Sequence, residues 1–197
     1  AWAQQKMVQG FIELHPNGTA TRALRTVPVE IRRDKDVRDI WVPSLLRRAY
    51  RGSQPRIVFF CGPSLEDWNA DTPRTRGIGG SETAVVEVTK RLAGTGWRPI
   101  VYNSCGGNEG NQDGVIYSDW ERYRADQPAD VFVSWRKPEV INEKPAAPQR
   151  WLWCHDLHYG DRLTEEIASK YTTVLGVSEW HAGYLRELYP FLTSVDY

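Results

Sequence analysis

From Pro55 onward, short continuous apolar runs alternate with stretches of helical pattern. "RIVFF" at 56–60 is an unbroken apolar run after its arginine, the signature of a strand covered on both faces. After a long loop, "SETAVVEVTKRLAGTG" places Ala84, Val85, Val88 and Leu92 on one helical face. Ser81 suits the N-cap of that helix, and Gly94 or Gly96 its C-terminal end. "PIVYN", "GVIYS", "DVFVSW" and "RWLWCHD" then read as strands, "RLTEEIASKY" as a helix, "TVLGVS" as a strand and "EWHAGYLRELY" as a helix ended by Pro190. Strands that alternate with helices and are apolar throughout require a mainly parallel sheet with helices on both faces. The fold class is therefore α/β and Rossmann-like. Segments 56–60, 99–103, 131–135, 150–153 and 173–177 are predicted to share one sheet, with the helix from Ser81 packed on it.

Residues 1–54 lack this rhythm and are set apart as an N-terminal extension; residues 55–197 form the Rossmann-like domain. In the extension, "AWAQQKMVQGFIELH" is expected to be helical and to stop at Pro16-Asn17-Gly18. "TRALRTVPVEIRR" alternates loosely and is expected to be a strand, kept to an edge by Pro28. "DVRDIWVPSLLRRAY" looks helical on either side of Pro43.

Charge narrows the function. The 25 Lys+Arg balance 25 Asp+Glu, which gives no footprint for nucleic acid and no polybasic patch for a membrane. No apolar run approaches the roughly 20 residues of a transmembrane segment, and the first residues lack a signal-peptide pattern. Three cysteines without a C-x-x-C pair fit reduced thiols in the cytoplasm. Nine tryptophans supply core, or flat faces for sugar rings.

The segment "RTRGIGGSETAVV" aims a glycine turn at a helix start. Free N–H groups and the helix dipole favour an anion there. Gly79 and Gly80 lack Cβ atoms and can take φ > 0, so backbone amides can approach a ligand closely. A phosphate or carboxylate on Gly79, Gly80, Ser81 and Glu82, helped by Arg74 or Arg76, is one reading; an empty, purely structural turn is the other. The dinucleotide fingerprint fails, because Glu82 stands where its third glycine belongs, and the P-loop Gly-Lys-Ser/Thr is absent.

"IVFFCGP…W", "GIGGSETAVVEVTKRLAGTGWRPIVY", "DVFVSWRKP", "RWLWCHD" and "VLGVSEWHAGYLRELYP" follow one another in order. Over residues 55–191 this series resembles the N-terminal, acceptor-side half of GT-B glycosyltransferases of family 4. The resemblance implies retaining transfer from a nucleotide sugar to a carbohydrate, lipid or protein acceptor, with no cofactor and no catalytic metal. It implies that Gly79 and Gly80 lie near the donor phosphates or an anionic acceptor, and that His155 contacts the donor sugar near the reacting carbon. It also implies a C-terminal donor-binding domain. Because the sequence ends at Tyr197, where the interdomain linker should begin, that domain is expected to be missing and this chain to be catalytically incomplete. Glu179 and Glu187 have the spacing of the family's donor-side glutamate pair but lie in a plain helix, so the match is coincidental.

Other candidates follow from strand-end position. His155 and Asp156 come after "WLWC", and Arg136 and Lys137 after "VFVSW". Arg136, Asp156 and Trp180 are assigned to the acceptor, while Arg136 and Lys137 read equally well as solvated loop residues. Trp135, Trp151, Trp153 and Trp180 read as core or cleft wall. Cys154 and His155 point to opposite faces and do not form a nucleophile pair. Cys154, His155, His158 and His181 match no standard zinc spacing. Against the transferase stands a non-catalytic carbohydrate- or nucleotide-binding module, or an assembly scaffold, with the same fold.

Overall fold

The computed structural model describes residues 27–197. The helix expected near the N-terminus lies outside the described residues.

Seven strands form one sheet: β1 (Arg56–Gly62), β2 (Arg98–Asn103), β3 (Gly110–Gln112), β4 (Val115–Asp119), β5 (Val131–Trp135), β6 (Gln149–Trp153) and β7 (Thr173–Leu175). Their order is β3-β4-β2-β1-β5-β6-β7. All neighbours run parallel except β3, which returns antiparallel to β4 as the edge. The five segments expected to share one sheet all lie in it, and the architecture is α/β and Rossmann-like. The last strand is shorter than expected: Gly176 turns its N–H to the Asp196 carbonyl (2.7 Å) instead of to β6.

The β1 side chains explain the unbroken apolar run. Val58 and Phe60 pack on one face with Ile100, Tyr102, Ile116 and Phe132. Ile57, Phe59 and Cys61 pack on the other with Val101, Tyr117, Val131 and Val133. Alternate residues thus serve two cores.

Helix α1 (Val29–Arg33) and helix α2 (Lys35–Arg51) precede the sheet. Val29–Arg33 corrects the described part of the expected edge strand, whose residues 21–26 lie outside the described residues: Pro28 stands at the N-cap, where a missing N–H leaves no hydrogen bond unmade. Asp34 caps α2 by accepting from the Asp36 and Val37 amides. The helix runs through Pro43 without a break. An interior proline costs about 3 kcal/mol. Val37, Trp41, Val42, Leu45 and Ala49 all bury against the sheet, and a large apolar side chain contributes about 1.5–3 kcal/mol each. Burial wins.

A buried carboxylate fastens this layer. Glu109, with a fully enclosed side chain, accepts from Arg122 Nε (3.0 Å), Ser118 Oγ (3.0 Å), the Asp119 amide (3.0 Å) and, from α2, Arg38 Nη1 (3.3 Å). Arg122 also donates to Asp39 on α2 (2.6 Å).

Short helix α3 (Thr72–Thr75) lies in the long loop, and α4 (Gly80–Gly94) covers the second face through Val85 and Val86. Ser81 is not the N-cap. Gly79 is, with no side-chain hydrogen bond, and Ser81 falls inside the first turn. At its other end Gly96 takes φ +92 and Trp97 donates back to Leu92 (3.2 Å). Helix α5 (Glu165–Ala168), capped by Thr164, is only the core of the expected helix, and α6 (Glu179–Leu188) packs Ala182 and Leu185 on Leu152 and Val174.

Candidate functional site

Strand order reverses at β1: the chain builds outward through β2 and β4, then returns to add β5 on the opposite side. The loops leaving β1 and β5 therefore part company at their carboxyl ends and leave a crevice. A cleft of about 810 Å³ opens there, of a size suited to a small-molecule ligand. Pro63, Ser64 and Glu66 come from the β1 loop, Arg136 and Lys137 follow β5, and Asp156 follows β6. Gly79 and Glu82 present the start of α4, and Trp68 and Trp135, almost wholly buried, line the depth.

The glycine turn differs in detail from expectation. Gly79 has φ −57, and Gly80, the first helical residue, is not among those with positive φ; the left-handed residue is Gly77 at +72. Gly79 leaves room for Glu82: a Cβ there would meet Glu82 Oε2, and the carboxylate would have to swing aside. The Glu82 carboxylate thus folds back over the helix start, within 3.8 Å of Arg136 Nη1. Gly80 has open space around it, and neither Gly80 nor Ser81 lines the cleft. Arg74 is turned away, paired with Asp71 (2.5 Å), and Arg76 donates to the Asp67 carbonyl.

Arg136 is committed inside the protein. Its Nε and Nη2 donate to Asp156 Oδ2 (2.9 Å) and Oδ1 (2.5 Å). Its guanidinium lies 5.0 Å over Trp135, and its backbone takes φ +62. The carboxylate bonds raise its pKa further.

His155 sits beside the cleft rather than in its lining. Its ring is half-buried against Trp153 (4.6 Å between centroids) and Trp135 (5.8 Å), and Nε2 is enclosed without a hydrogen-bond partner among the described residues. Burial first, then the Arg136 charge, lowers its pKa to about 4. The imidazole is therefore neutral at pH 7, able to exchange a hydrogen bond with a hydroxyl but not to act as a cation. The loop behind it is locked: Tyr159 Oη accepts from the His155 and Asp156 amides (2.9 and 3.2 Å). His181 Nδ1 accepts from the Val177 amide (3.2 Å), so Nε2 carries the proton given to the Asp156 carbonyl (3.1 Å). His181 is thus a satisfied structural residue. Cys154 faces the core beside Leu152 and Tyr159, and burial pushes its thiol up to about 12.

Trp180 is neither core nor cleft wall. It is 67% exposed, stacked on Tyr184 (18°, 5.5 Å), and does not line the cleft. Glu179 and Glu187 are exposed on α6. Among the described residues no group of His, Cys, Asp and Glu is arranged to hold a metal ion, and no helix is long and apolar enough to cross a membrane. Trp68 entered the sequence reading only as the last residue of "IVFFCGP…W", with no role in the site; beyond that its signal was a tryptophan in an otherwise polar loop, "LEDWNAD". Compared with known proteins, the chain matches no family model and no curated protein.

Proposed function

We propose that this chain is the acceptor-side domain of a retaining, metal-independent glycosyltransferase that uses a nucleotide sugar. The observation that carries the reading is the cleft at the carboxyl ends of β1 and β5, where the sheet order reverses, with the start of α4 on its wall. In this reading the donor diphosphate approaches Gly79 and Glu82, and the neutral His155, next in the chain to the lining residue Asp156, meets a sugar hydroxyl. The buried indoles of Trp68 and Trp135 give the cleft an apolar floor for the acceptor. The nucleotide-sugar half is assigned to sequence outside these 197 residues. Free, buried cysteines fit a cytoplasmic location.

One observation favours a second reading, a non-catalytic carbohydrate- or nucleotide-binding module. Glu82 already puts a carboxylate over the helix start, so the turn is stable without a bound phosphate. Assaying the full-length gene product with nucleotide sugars and a chelator separates the two. Transfer with retained anomeric configuration, absent from residues 1–197 alone, supports the transferase; no transfer from any nucleotide sugar overturns it.

A further inference from the structure

We propose that the cleft selects an acceptor bearing an oxyanion, a carboxylate or a phosphate, and that Lys137 is the residue that reads it. This rests on the transferase reading and names its substrate class.

The cations that line the cleft are not equivalent. Arg136 is taken up by Asp156 and Glu82. Arg162 faces Glu139 at 3.9 Å, and Arg76 is bound to a carbonyl. Lys137 forms no ion pair or side-chain hydrogen bond with any described residue, although it is half-buried. A half-buried ammonium without a counter-ion is unfavourable, and a ligand anion removes that cost.

Its placement is built in. The aliphatic stem crosses Gly62 at the end of β1, where a Cβ would lie 2.5 Å from Lys137 Cε and 2.8 Å from Cδ. Gly62 also holds φ +65, a conformation that favours glycine. The Lys137 carbonyl accepts from Ser134 Oγ (2.5 Å) and the Val140 amide (3.2 Å), and Pro138 follows. A fixed backbone and a seated stem reduce the entropy lost when the ammonium engages a ligand. Of the three carboxylates that line the cleft, Glu82 and Asp156 are already held by Arg136, and Glu66 stands exposed on the β1 loop without an ion pair to Lys137.

The test is amide-resolved NMR of the 197-residue chain titrated with glucose 6-phosphate, glucuronate and glucose at low salt. One or both anionic sugars should shift the Gly62, Ser64 and Lys137 amides and bind at least about fivefold tighter than glucose, as expected for one desolvated charge contact. The two anions tell phosphate from carboxylate. Lys137→Gln should bring the anionic sugar down to the level of glucose with an unchanged unfolding midpoint, while Arg162→Gln keeps the preference. Equal binding of glucose and the anions, unchanged anion affinity in Lys137→Gln, or no shift at these amides overturns the proposal. Anion binding lost in Lys137→Gln, without sugar transfer by the full-length product, would sink the transferase reading and leave this site standing. Equal transfer to charged and uncharged acceptors would do the reverse.

Discussion

Arg136 and Asp156 clasp one another through two hydrogen bonds and so tie the carboxyl end of β5 to that of β6. Register sets up the pairing: Trp135 stands opposite Trp153, and the Arg136 amide donates to the Trp153 carbonyl (3.1 Å), which holds Arg136 beside the loop that carries Asp156. Arg136→Lys keeps the charge but loses the planar fork. The partners are about one-third exposed, so the loss should be modest, about 1–2 kcal/mol. Urea unfolding reads it; an unchanged midpoint would show that the clasp adds nothing to stability.

His155 gives acid sensitivity. Its pKa is about 4 in the fold against an ordinary 6.5, so between those values the unfolded chain binds a proton that the native state refuses. The stability it contributes is complete above about pH 6.5 and is lost as pH falls toward 4. His155→Gln should flatten that part of the stability profile. An imidazole NMR titration with a midpoint near 6.5 would refute the assignment. In the full-length product, His155→Ala should lower turnover by about 10²-fold or more while the protein stays folded, if the imidazole meets the sugar.

Glu109→Ala strands Arg38 and Arg122 around an emptied carboxylate site. Removing one member of a buried ionic network costs about 3–5 kcal/mol. The lower end is expected, because Arg122 keeps Asp39. A change under about 1 kcal/mol in chemical denaturation would contradict the burial of this network.

Glu82→Gln should strengthen binding of a nucleoside diphosphate at the turn. A like charge about 4 Å away costs about 1 kcal/mol in water, so the gain is about fivefold. NMR shifts at Gly79 and Glu82 report it; weaker binding in the variant would mean that the carboxylate itself receives the ligand.

The sheet was readable because β1 buries residues on both faces, which leaves one unmistakable apolar run. Val115–Asp119 was readable for the same reason. Val29–Arg33 was not: a proline beside alternating residues reads as an edge strand, and only the packing of Ile31 beside α2 favours a helix. In the site, Gly77 to Glu82 announced a helix start, but which glycine reverses the chain and which makes room is a matter of three dimensions. The seat of Lys137 on Gly62 was equally hidden, since strand order, not sequence distance, brings β1 beside β5.

The tryptophans are sorted by depth, and light can tell them apart. Trp180 is the exposed one among those described, while Trp68 and Trp135 lie sealed beneath the cleft. A water-facing indole emits to the red and is reached by iodide; sealed indoles emit to the blue and are shielded. A molecule arriving in the cleft would therefore disturb the blue edge of the emission and leave the iodide-sensitive fraction on α6 untouched, so occupancy can be followed without a label.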